Sequence, residues 1–302
     1  MSIYLPIAQI SVDVFLLLGL GGITGILSGL FGIGGGFLMT PLLIFIGVSP
    51  AIAVSSVANQ MIAASISGFH SHLRKQNVDF RMGLLLLCGG FIGSSFGVWL
   101  FDYLKNLGQI DIVISISYVL LLSIIGGIMA FESGRTIMRN KQQTMAKPAK
   151  PSRIKLPLVM NFPRSNLQIS AIIPISIGIF IGGLVSMLGL GGGFFMIPAM
   201  LYIIKMPASL VVGTSLFQMI FISANVTLLQ AINTQTVDIV LACFLLIGSS
   251  MGAQVGIRLA SRLPTEYARS ILAVIVLAVA LQLALKLTLT PSDLFEMMII
   301  RN

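Results

Sequence analysis

Three consecutive glycines followed by a phenylalanine, a methionine and a proline occur twice in this chain. The first copy reads GLFGIGGGFLMTPL at 29–42, and the second reads SMLGLGGGFFMIPA at 186–199. Each glycine lowers helix propensity by roughly 1 kcal/mol relative to alanine, so each triplet predicts a break in a helix. The helix that restarts after a break begins with N–H groups that lack a partner within it and carry the positive end of its dipole. Such N–H groups can bind an anion without a charged side chain.

The two breaks together predict a binding site for a small anion. We expect backbone contacts from Gly34, Gly35, Gly36 and Phe37 in the first copy, and from Gly191, Gly192, Gly193 and Phe194 in the second. The N–H groups from about Gly35 to Phe37 and from Gly192 to Phe194 should have no partner in their own helices. Close packing of helices is the alternative role for glycine in a membrane, and we predict that role for Gly89, Gly93, Gly97, Gly248, Gly252 and Gly256. Consecutive glycines do not lie on one helix face, so packing alone does not explain the triplets.

Polar residues follow each break in an otherwise apolar segment. Ser56 and Gln60 are spaced i, i+4 in the first half, and Thr214 and Gln218 repeat that spacing in the second. This spacing places each pair on one helix face. The four side chains could either contact the anion or only make hydrogen bonds between helices. Because they follow the breaks closely in sequence, we predict that they contact the anion.

Other chemistries find little support in the residues. No Lys-Ser/Thr follows either triplet, as a phosphate-binding loop requires, and no βαβ pattern surrounds them. No Asp, Glu, Lys or Arg lies in the middle of an apolar stretch. We therefore expect no enzyme activity, no catalytic residue, no metal site and no cofactor. Asp79 and Asp238 each precede a helical segment and are expected to cap it.

The composition places these segments in a membrane. Of the 302 residues, 56% are apolar and only 9% are charged, whereas soluble domains carry roughly 25% charged residues. Several apolar stretches approach the length of about 20 residues that crosses a bilayer. The net charge of +9 does not indicate nucleic acid, because eight of the 18 basic residues lie between Arg135 and Arg164, a stretch in which Phe162 is the one aromatic residue.

The triplets belong to a longer internal repeat with a spacing of 157 residues. We divide the chain into a first transmembrane repeat at 1–131, a basic linker at 132–168 and a second transmembrane repeat at 169–302. Each repeat should contain about five helical segments, with a broken or re-entrant helix at the glycines. Glycine and proline positions match across the repeats, for example Gly25 with Gly182 and Pro50 with Pro207.

Basic residues favour an inverted arrangement of the two repeats. If each repeat makes an odd number of crossings and the N-terminus is outside, 15 of the 18 basic residues face the cytoplasm, together with the linker. If the repeats are parallel, Lys205 and the cluster from Arg258 to Arg269 lie on the wrong side. Inverted repeats with broken helices are a recurring plan of secondary transporters.

The doubled motif, with the Val-Asp pairs at 78–79 and 237–238, resembles the sulfite exporter TauE/SafE family of membrane permeases. The resemblance covers roughly residues 12–290. It implies a multi-pass permease of the prokaryotic plasma membrane that carries a sulfur oxyanion or an organosulfonate, such as sulfite or sulfoacetate. Movement of one repeat against the other would alternate access to the site.

Several properties stay open at this point. An anion channel with the same site and a transporter of a small carboxylate are the alternatives to a sulfur-anion carrier. The residues do not identify the coupling ion, which would be H⁺ or Na⁺, or the oligomeric state. The expected partners are the small anionic substrate and the lipid bilayer, and no nucleic acid.

Overall fold

The structure is a computed structural model that describes residues 2–31, 35–138, 158–165, 167–260 and 265–288, with the backbone alone for 132–138, 260 and 265–270. The described residues form α1 Val14–Phe31, α2 Gly36–Phe45, α3 Pro50–Arg74, α4 Phe80–Asn106, α5 Ile110–Met138, α6 Ile172–Leu188, α7 Gly193–Pro198, α8 Ala208–Asn233, α9 Ile239–Ala260 and α10 Thr265–Thr288. Two antiparallel hairpins precede α1 and α6: β1 Ser2–Leu5 with β2 Ile10–Asp13, and β3 Val159–Phe162 with β4 Leu167–Ser170.

Seven of these helices are long and apolar enough to cross a membrane: α1, α3, α4, α5, α8, α9 and α10. The remaining three are shorter, because two of them follow the glycine triplets and α6 ends directly before the second triplet. The expectation of a helical, multi-pass membrane protein is confirmed.

Both glycine triplets interrupt helices, as predicted. The first interruption separates α1 from α2, and Gly35 there has a left-handed backbone with φ of 72°. In the second, Gly189 and Gly191 have φ of 62° and 68°, values that glycine adopts without steric cost. Gly34 lies outside the described residues. After the second break, α7 continues into a π-helical turn at Ala199–Ile204 that sequence reasoning did not anticipate.

The segment after the first break folds back along the helix before it. A Cβ added at Gly35 would lie 2.8 Å from the Thr24 carbonyl oxygen, so α2 starts beside the middle of α1. At the other end of α2, Lys286 Nζ donates a hydrogen bond to the Ile44 carbonyl oxygen at 2.8 Å. The ten residues of α2 span about 15 Å, or half of a bilayer core. α1 and α2 therefore form a re-entrant hairpin, which was one of the two forms left open by the sequence.

Helices pack mainly across the two repeats. α1 packs most extensively on α9, and α6, the equivalent of α1, packs in the same way on α4. A Cβ added at Gly248 would lie 2.5 Å from the Leu18 carbonyl oxygen, and one added at Gly182 would lie 2.5 Å from that of Gly90. The close packing predicted for the glycine-rich faces of α4 and α9 is therefore confirmed, and α1 and α6 supply the opposing glycines.

The central helices α3 and α8 are equivalent in the repeat and run in opposite directions. His72 near the end of α3 packs against Gly213 near the start of α8. At the start of α3, Ser55 Oγ lies 2.6 Å from Thr236 Oγ1, just beyond the end of α8. The bundle thus has a first end, which holds the start of α3 and residues 234–238, and a second end, which holds residues 74–79 and the start of α8.

Each β-hairpin packs on the other repeat. Asp238 at the start of α9 accepts hydrogen bonds from the N–H groups of Ile7 and Ala8, in the turn of the first hairpin, at 3.0 and 3.2 Å. Asp79 at the start of α4 accepts one from Ser165 Oγ, in the turn of the second hairpin. The two aspartates also accept from N–H groups in the first turns of their own helices, which confirms their predicted capping role.

The second hairpin begins within the range 132–168 that the sequence assigned to the linker and ends at Ser170, in the second repeat. Residues 164 and 165 in its turn correspond to residues 7 and 8 at the repeat spacing of 157. α5 also continues to Met138, beyond the boundary placed at residue 131. Regular structure therefore occupies both ends of this range, and its middle, 139–157, lies outside the described residues.

Candidate functional site

The two helix breaks meet in the interior of the bundle. A Cβ added at Gly36 would lie 2.6 Å from the Gly189 carbonyl oxygen and 3.1 Å from the Gly191 nitrogen. The rings of Phe37 and Phe194 stack with centroids 4.4 Å apart and planes 8° from parallel. The predicted residues that the structure describes at the two breaks, Gly35, Gly36, Phe37, Gly191, Gly192, Gly193 and Phe194, are all buried. The structure therefore brings both breaks together, as the sequence predicted.

Two of the backbone groups expected to lack partners have them. Phe194 N–H donates to the Gly191 carbonyl oxygen at 3.1 Å, because the chain enters α7 through a tight turn. Gly193 N–H points at Met219 Sδ, 3.0 Å away, and a thioether sulfur is only a weak acceptor. The expectation of a free N–H is therefore wrong for Phe194, whereas an anion could displace the weak contact at Gly193.

Ser56 and Thr214 have structural partners. Ser56 Oγ accepts a hydrogen bond from the Asp238 N–H at 3.2 Å, and Thr214 Oγ1 accepts one from the Asp79 N–H at 3.0 Å. Each hydroxyl thus joins the middle helix of one repeat to the start of α9 or α4 in the other repeat. This is the interhelical role that the sequence left as the alternative for these two residues.

Gln60 is fully buried, with one half of its amide bound. Its Nε2 donates to Thr24 Oγ1 at 3.1 Å, across the interface between α3 and α1. Gln60 Oε1 has no hydrogen-bond partner within the described part of the chain. The next residue on α3, Met61, would contact a Cβ added at Gly36 through its sulfur, at 2.5 Å. Gln60 therefore lies beside the first break.

Gln218 is the equivalent of Gln60 in the second repeat and is also fully buried. Neither Nε2 nor Oε1 of Gln218 has a partner among the described residues. The position that corresponds to Thr24 is Ile181, 157 residues further along, and Ile181 cannot accept a hydrogen bond. The next residue on α8, Met219, contacts the Gly193 N–H through its sulfur, at 3.0 Å. Gln218 is therefore the sequence neighbour of a residue that contacts the second break, and its amide has no partner among the described residues.

Buried polar groups almost always have hydrogen-bond partners in folded proteins, and each exception calls for an explanation. Leaving one unpaired costs roughly 1–3 kcal/mol. Two equivalent glutamines with unpaired amide atoms next to two meeting helix breaks are most simply explained by a polar ligand. Among the described residues, no group of three or more His, Cys, Asp or Glu side chains could hold a metal ion.

Three residues near the breaks were missed by the sequence reasoning. Thr24 binds Gln60, Met219 contacts Gly193, and Tyr118 on α5 donates its hydroxyl to the Leu188 carbonyl oxygen at 2.5 Å. Tyr118 thereby satisfies a carbonyl at the end of α6, where the helix stops. Only Thr24 had a sequence signal: it is a polar residue in the strongly apolar α1, and the residue at its place in the second repeat, Ile181, is apolar.

Comparisons with known proteins support a transport function for this fold. A family model described as sulfite exporter TauE/SafE matches residues 17–283. The probable membrane transporter protein YjnA of Bacillus subtilis (strain 168) is 28% identical over 257 residues, which cover 84% of this chain and 93% of the relative. The probable membrane transporter protein YunE of the same organism is 25% identical over 259 residues, covering 82% and 88% of the two chains.

A probable membrane transporter protein of Xylella fastidiosa (strain 9a5c) is 27% identical over 250 residues, 81% of this chain and 84% of the relative. No solved structure matches. The family match covers most of the chain, including both glycine breaks, Gln60, Gln218 and all or most of each of the seven long helices. The chain is therefore a multi-pass membrane protein that belongs to the sulfite exporter TauE/SafE family.

Proposed function

We propose that this protein is a secondary transporter of a small anion, with a sulfur oxyanion or an organosulfonate such as sulfite or sulfoacetate as its substrate. The observation that carries the proposal is the meeting of two helix breaks beside two buried glutamines with unpaired amide atoms. The start of α2 and of α7 would supply positive potential through backbone N–H groups of Gly35–Phe37, Gly192 and Gly193. Gln60 and Gln218 would orient the anion.

We include Gly34 and Gly191 in the proposed site because they are the first glycines of the two triplets. Phe194 would contribute its ring. The stacked rings of Phe37 and Phe194 would form an apolar wall that keeps water from the anion. Ser56 and Thr214 would act indirectly, because their hydroxyls bind the starts of α9 and α4. A dry environment strengthens each hydrogen bond to the anion, because the local dielectric constant is low.

Alternating access would follow from movement between two inverted repeats. The opposite directions of α3 and α8 support the inversion. The described residues of the proposed site are buried, which suits an occluded state of a carrier. The contacts between hairpins and the opposite repeat lie at the two ends, where such a movement would open one side at a time.

Basic residues support an orientation with the second end of the bundle in the cytoplasm. Of the eight basic side chains that the structure describes, only Lys105 and Lys286 lie at the first end. The other six are associated with the second end: Arg74, Lys75, Arg81, Arg164, Lys205 and Arg258. Basic residues collect on the cytoplasmic side of membrane proteins. The N-terminal hairpin would then lie outside the prokaryotic plasma membrane.

Thermal stability of the purified protein tests the site directly. A ligand that binds only the folded state adds about 2.7 kcal/mol of stability when its concentration is 100 times its Kd. We expect sulfite, thiosulfate or sulfoacetate to raise the unfolding temperature more than chloride at equal ionic strength does. A shift with small carboxylates and none with sulfur anions would instead favour the carboxylate alternative.

Transport in liposomes separates a carrier from a channel. A carrier should show saturable uptake of the stabilising anion, accelerated by the same anion loaded inside the vesicle. An ohmic current that does not saturate would reject alternating access and favour an anion channel with the same site. Uptake repeated with an imposed H⁺ or Na⁺ gradient would identify the coupling ion.

A further inference from the structure

The orientation of the Gln60 amide is fixed by Thr24. The Thr24 hydroxyl has one hydrogen, and it donates this hydrogen to the carbonyl oxygens of Leu20 and Gly21 at 2.9 and 3.1 Å. Thr24 Oγ1 can therefore offer only a lone pair to Gln60. The amide group that faces it must be the N–H₂ of Gln60, at 3.1 Å. Gln60 consequently presents its oxygen, Oε1, to the remaining space beside the first break.

The second repeat does not impose this orientation. Ile181 stands where Thr24 stands in the first repeat, so nothing in the described part of the chain fixes which way the Gln218 amide points. Gln218 can present either its N–H₂ or its carbonyl oxygen. The two glutamines, equivalent in sequence, therefore offer a ligand different groups: an obligatory acceptor from Gln60 and an adaptable amide from Gln218.

We infer, on the basis of the proposed function, that the preferred substrate is a monoanion that also carries a hydrogen-bond donor. Protonated oxyanions and hydroxy-substituted sulfonates belong to this class. Their anionic oxygens would accept from the backbone N–H groups and from Gln218 Nε2, and their O–H would donate to Gln60 Oε1. Thr24 is the positioning residue for this preference, because it acts through Gln60 and makes no contact with the substrate itself.

A fully deprotonated oxyanion presents only acceptor oxygens, and this group includes sulfoacetate at neutral pH, so we expect the site to favour hydrogensulfite over sulfoacetate as substrate. One of these acceptor oxygens would face the buried Gln60 Oε1, and two acceptors repel each other where no water lies between them. A site that is built to pair a polar group rejects analogues that lack it far more strongly than an apolar pocket rejects a change in size. The structure thus predicts selection for a protonation state as well as for charge.

Two sulfonates of equal charge provide the test. 2-Hydroxyethanesulfonate carries a hydroxyl that ethanesulfonate lacks, and both are monoanions. We expect the purified wild-type protein to bind 2-hydroxyethanesulfonate about tenfold more tightly or better, measured by calorimetry or by the shift in unfolding temperature. In parallel, sulfite binding should follow the concentration of hydrogensulfite as the pH is raised.

Variants at the two equivalent positions test the role of Thr24. Thr24→Val removes the hydroxyl and lets the Gln60 amide turn, so the ratio of the two Kd values should fall towards one. Thr24→Ser keeps the hydroxyl and should keep the ratio. Ile181→Thr would bind Gln218 Nε2 as Thr24 binds Gln60 Nε2, so both sulfonates should bind more weakly, whereas Ile181→Val is the matched control and should leave both Kd values unchanged.

The outcomes distinguish this inference from the proposed function. Equal binding of the two sulfonates by the wild-type protein would overturn the inference and leave an anion transporter in place. An unchanged ratio in Thr24→Val would overturn the role of Thr24. Binding of both sulfonates by Thr24→Val shows that this variant is folded, and a lost preference in Thr24→Ser would also contradict the role of the hydroxyl. If neither sulfonate nor sulfite binds at any pH, the proposed function itself is wrong.

Discussion

Unpaired amides at Gln60 and Gln218 are the clearest sign of function at the scale of single residues. In a protein without a ligand, a buried group that lacks a partner destabilises the fold, because it has given up its hydrogen bonds to water. Gln218 is fully buried on α8, and both of its amide atoms are unpaired within the described residues. Its retention in this place makes sense if a ligand completes its hydrogen bonds during the transport cycle.

Replacing Gln218 should therefore separate stability from binding. Gln218→Met keeps the length of the side chain and removes the unpaired amide. We expect unchanged or higher thermal stability, by up to roughly 1–3 kcal/mol, with loss of stabilisation by the anion and of uptake. Thermal unfolding with and without sulfite measures both effects on one sample.

Gln230 on the same helix provides the control for that experiment. It is equally buried, but its amide is half bound: Nε2 donates to the Ser186 carbonyl oxygen at 3.0 Å, and Oε1 has no partner among the described residues. Gln230→Met should lower stability by about 0.5–1.5 kcal/mol and retain the response to the anion. If Gln218→Met instead loses stability and still binds sulfite normally, Gln218 is a structural residue and the site lies elsewhere.

Much of the site was predictable at this scale, and part of it was not. The glycine breaks follow from local backbone preferences, which are encoded in short stretches, and both meet as expected. The bond between Thr24 and Gln60 could not be predicted, because it depends on which face of α1 meets α3. For the same reason, sequence reasoning could not decide whether Ser56 and Thr214 contact the anion or the starts of α9 and α4.

At the scale of helices, glycine allows close parallel crossings between the repeats. A Cβ added at Gly21 of α1 would lie 2.9 Å from the Leu245 carbonyl oxygen of α9. Helix association in lipid depends on such close packing, since lipid tails are as apolar as the side chains they replace. The sequence predicted the glycine-rich faces of α4 and α9, but their partners lie in the other repeat and were not predicted.

Substitution by alanine should have different effects on thermal stability at two glycines of α1. Gly21→Ala should lower the unfolding temperature, because its methyl group would press against backbone that cannot easily move. Gly19→Ala meets nothing within 4 Å and should be neutral or stabilising, by up to about 1 kcal/mol from helix propensity. Unfolding in detergent, followed by circular dichroism, measures both. Equal effects of the two changes would contradict the crossing of α1 and α9.

At the scale of the whole molecule, equivalent elements of the two repeats each contact the other repeat. Each hairpin does so, α1 packs on α9 and α6 on α4, and the hydroxyls of Ser56 and Thr214 bind the starts of α9 and α4. The repeat and the charge distribution were visible in the sequence, because both are properties of composition and spacing. Which helix of one repeat packs on which helix of the other depends on long-range contacts, and no short stretch of sequence encodes it.

Labelling of single cysteines tests the orientation of this arrangement. Lys75 and Gln235 are exposed at opposite ends of the bundle. In a variant with both native cysteines replaced, Cys88→Ala and Cys243→Ala, we expect Lys75→Cys to react only after the membrane is permeabilised. Gln235→Cys should react with an impermeant maleimide in intact cells. Reaction of both from the same side would reject the inverted arrangement.

The packing of α1 on α9, a helix of the other repeat, has a consequence for how the protein is made. α1 is synthesised long before α9, whose glycines fit against it. Until α9 is inserted, the face of α1 that packs on α9 has no partner helix from the second repeat. A product truncated after the first repeat would leave that face of α1 uncovered and its N-terminal hairpin without Asp238.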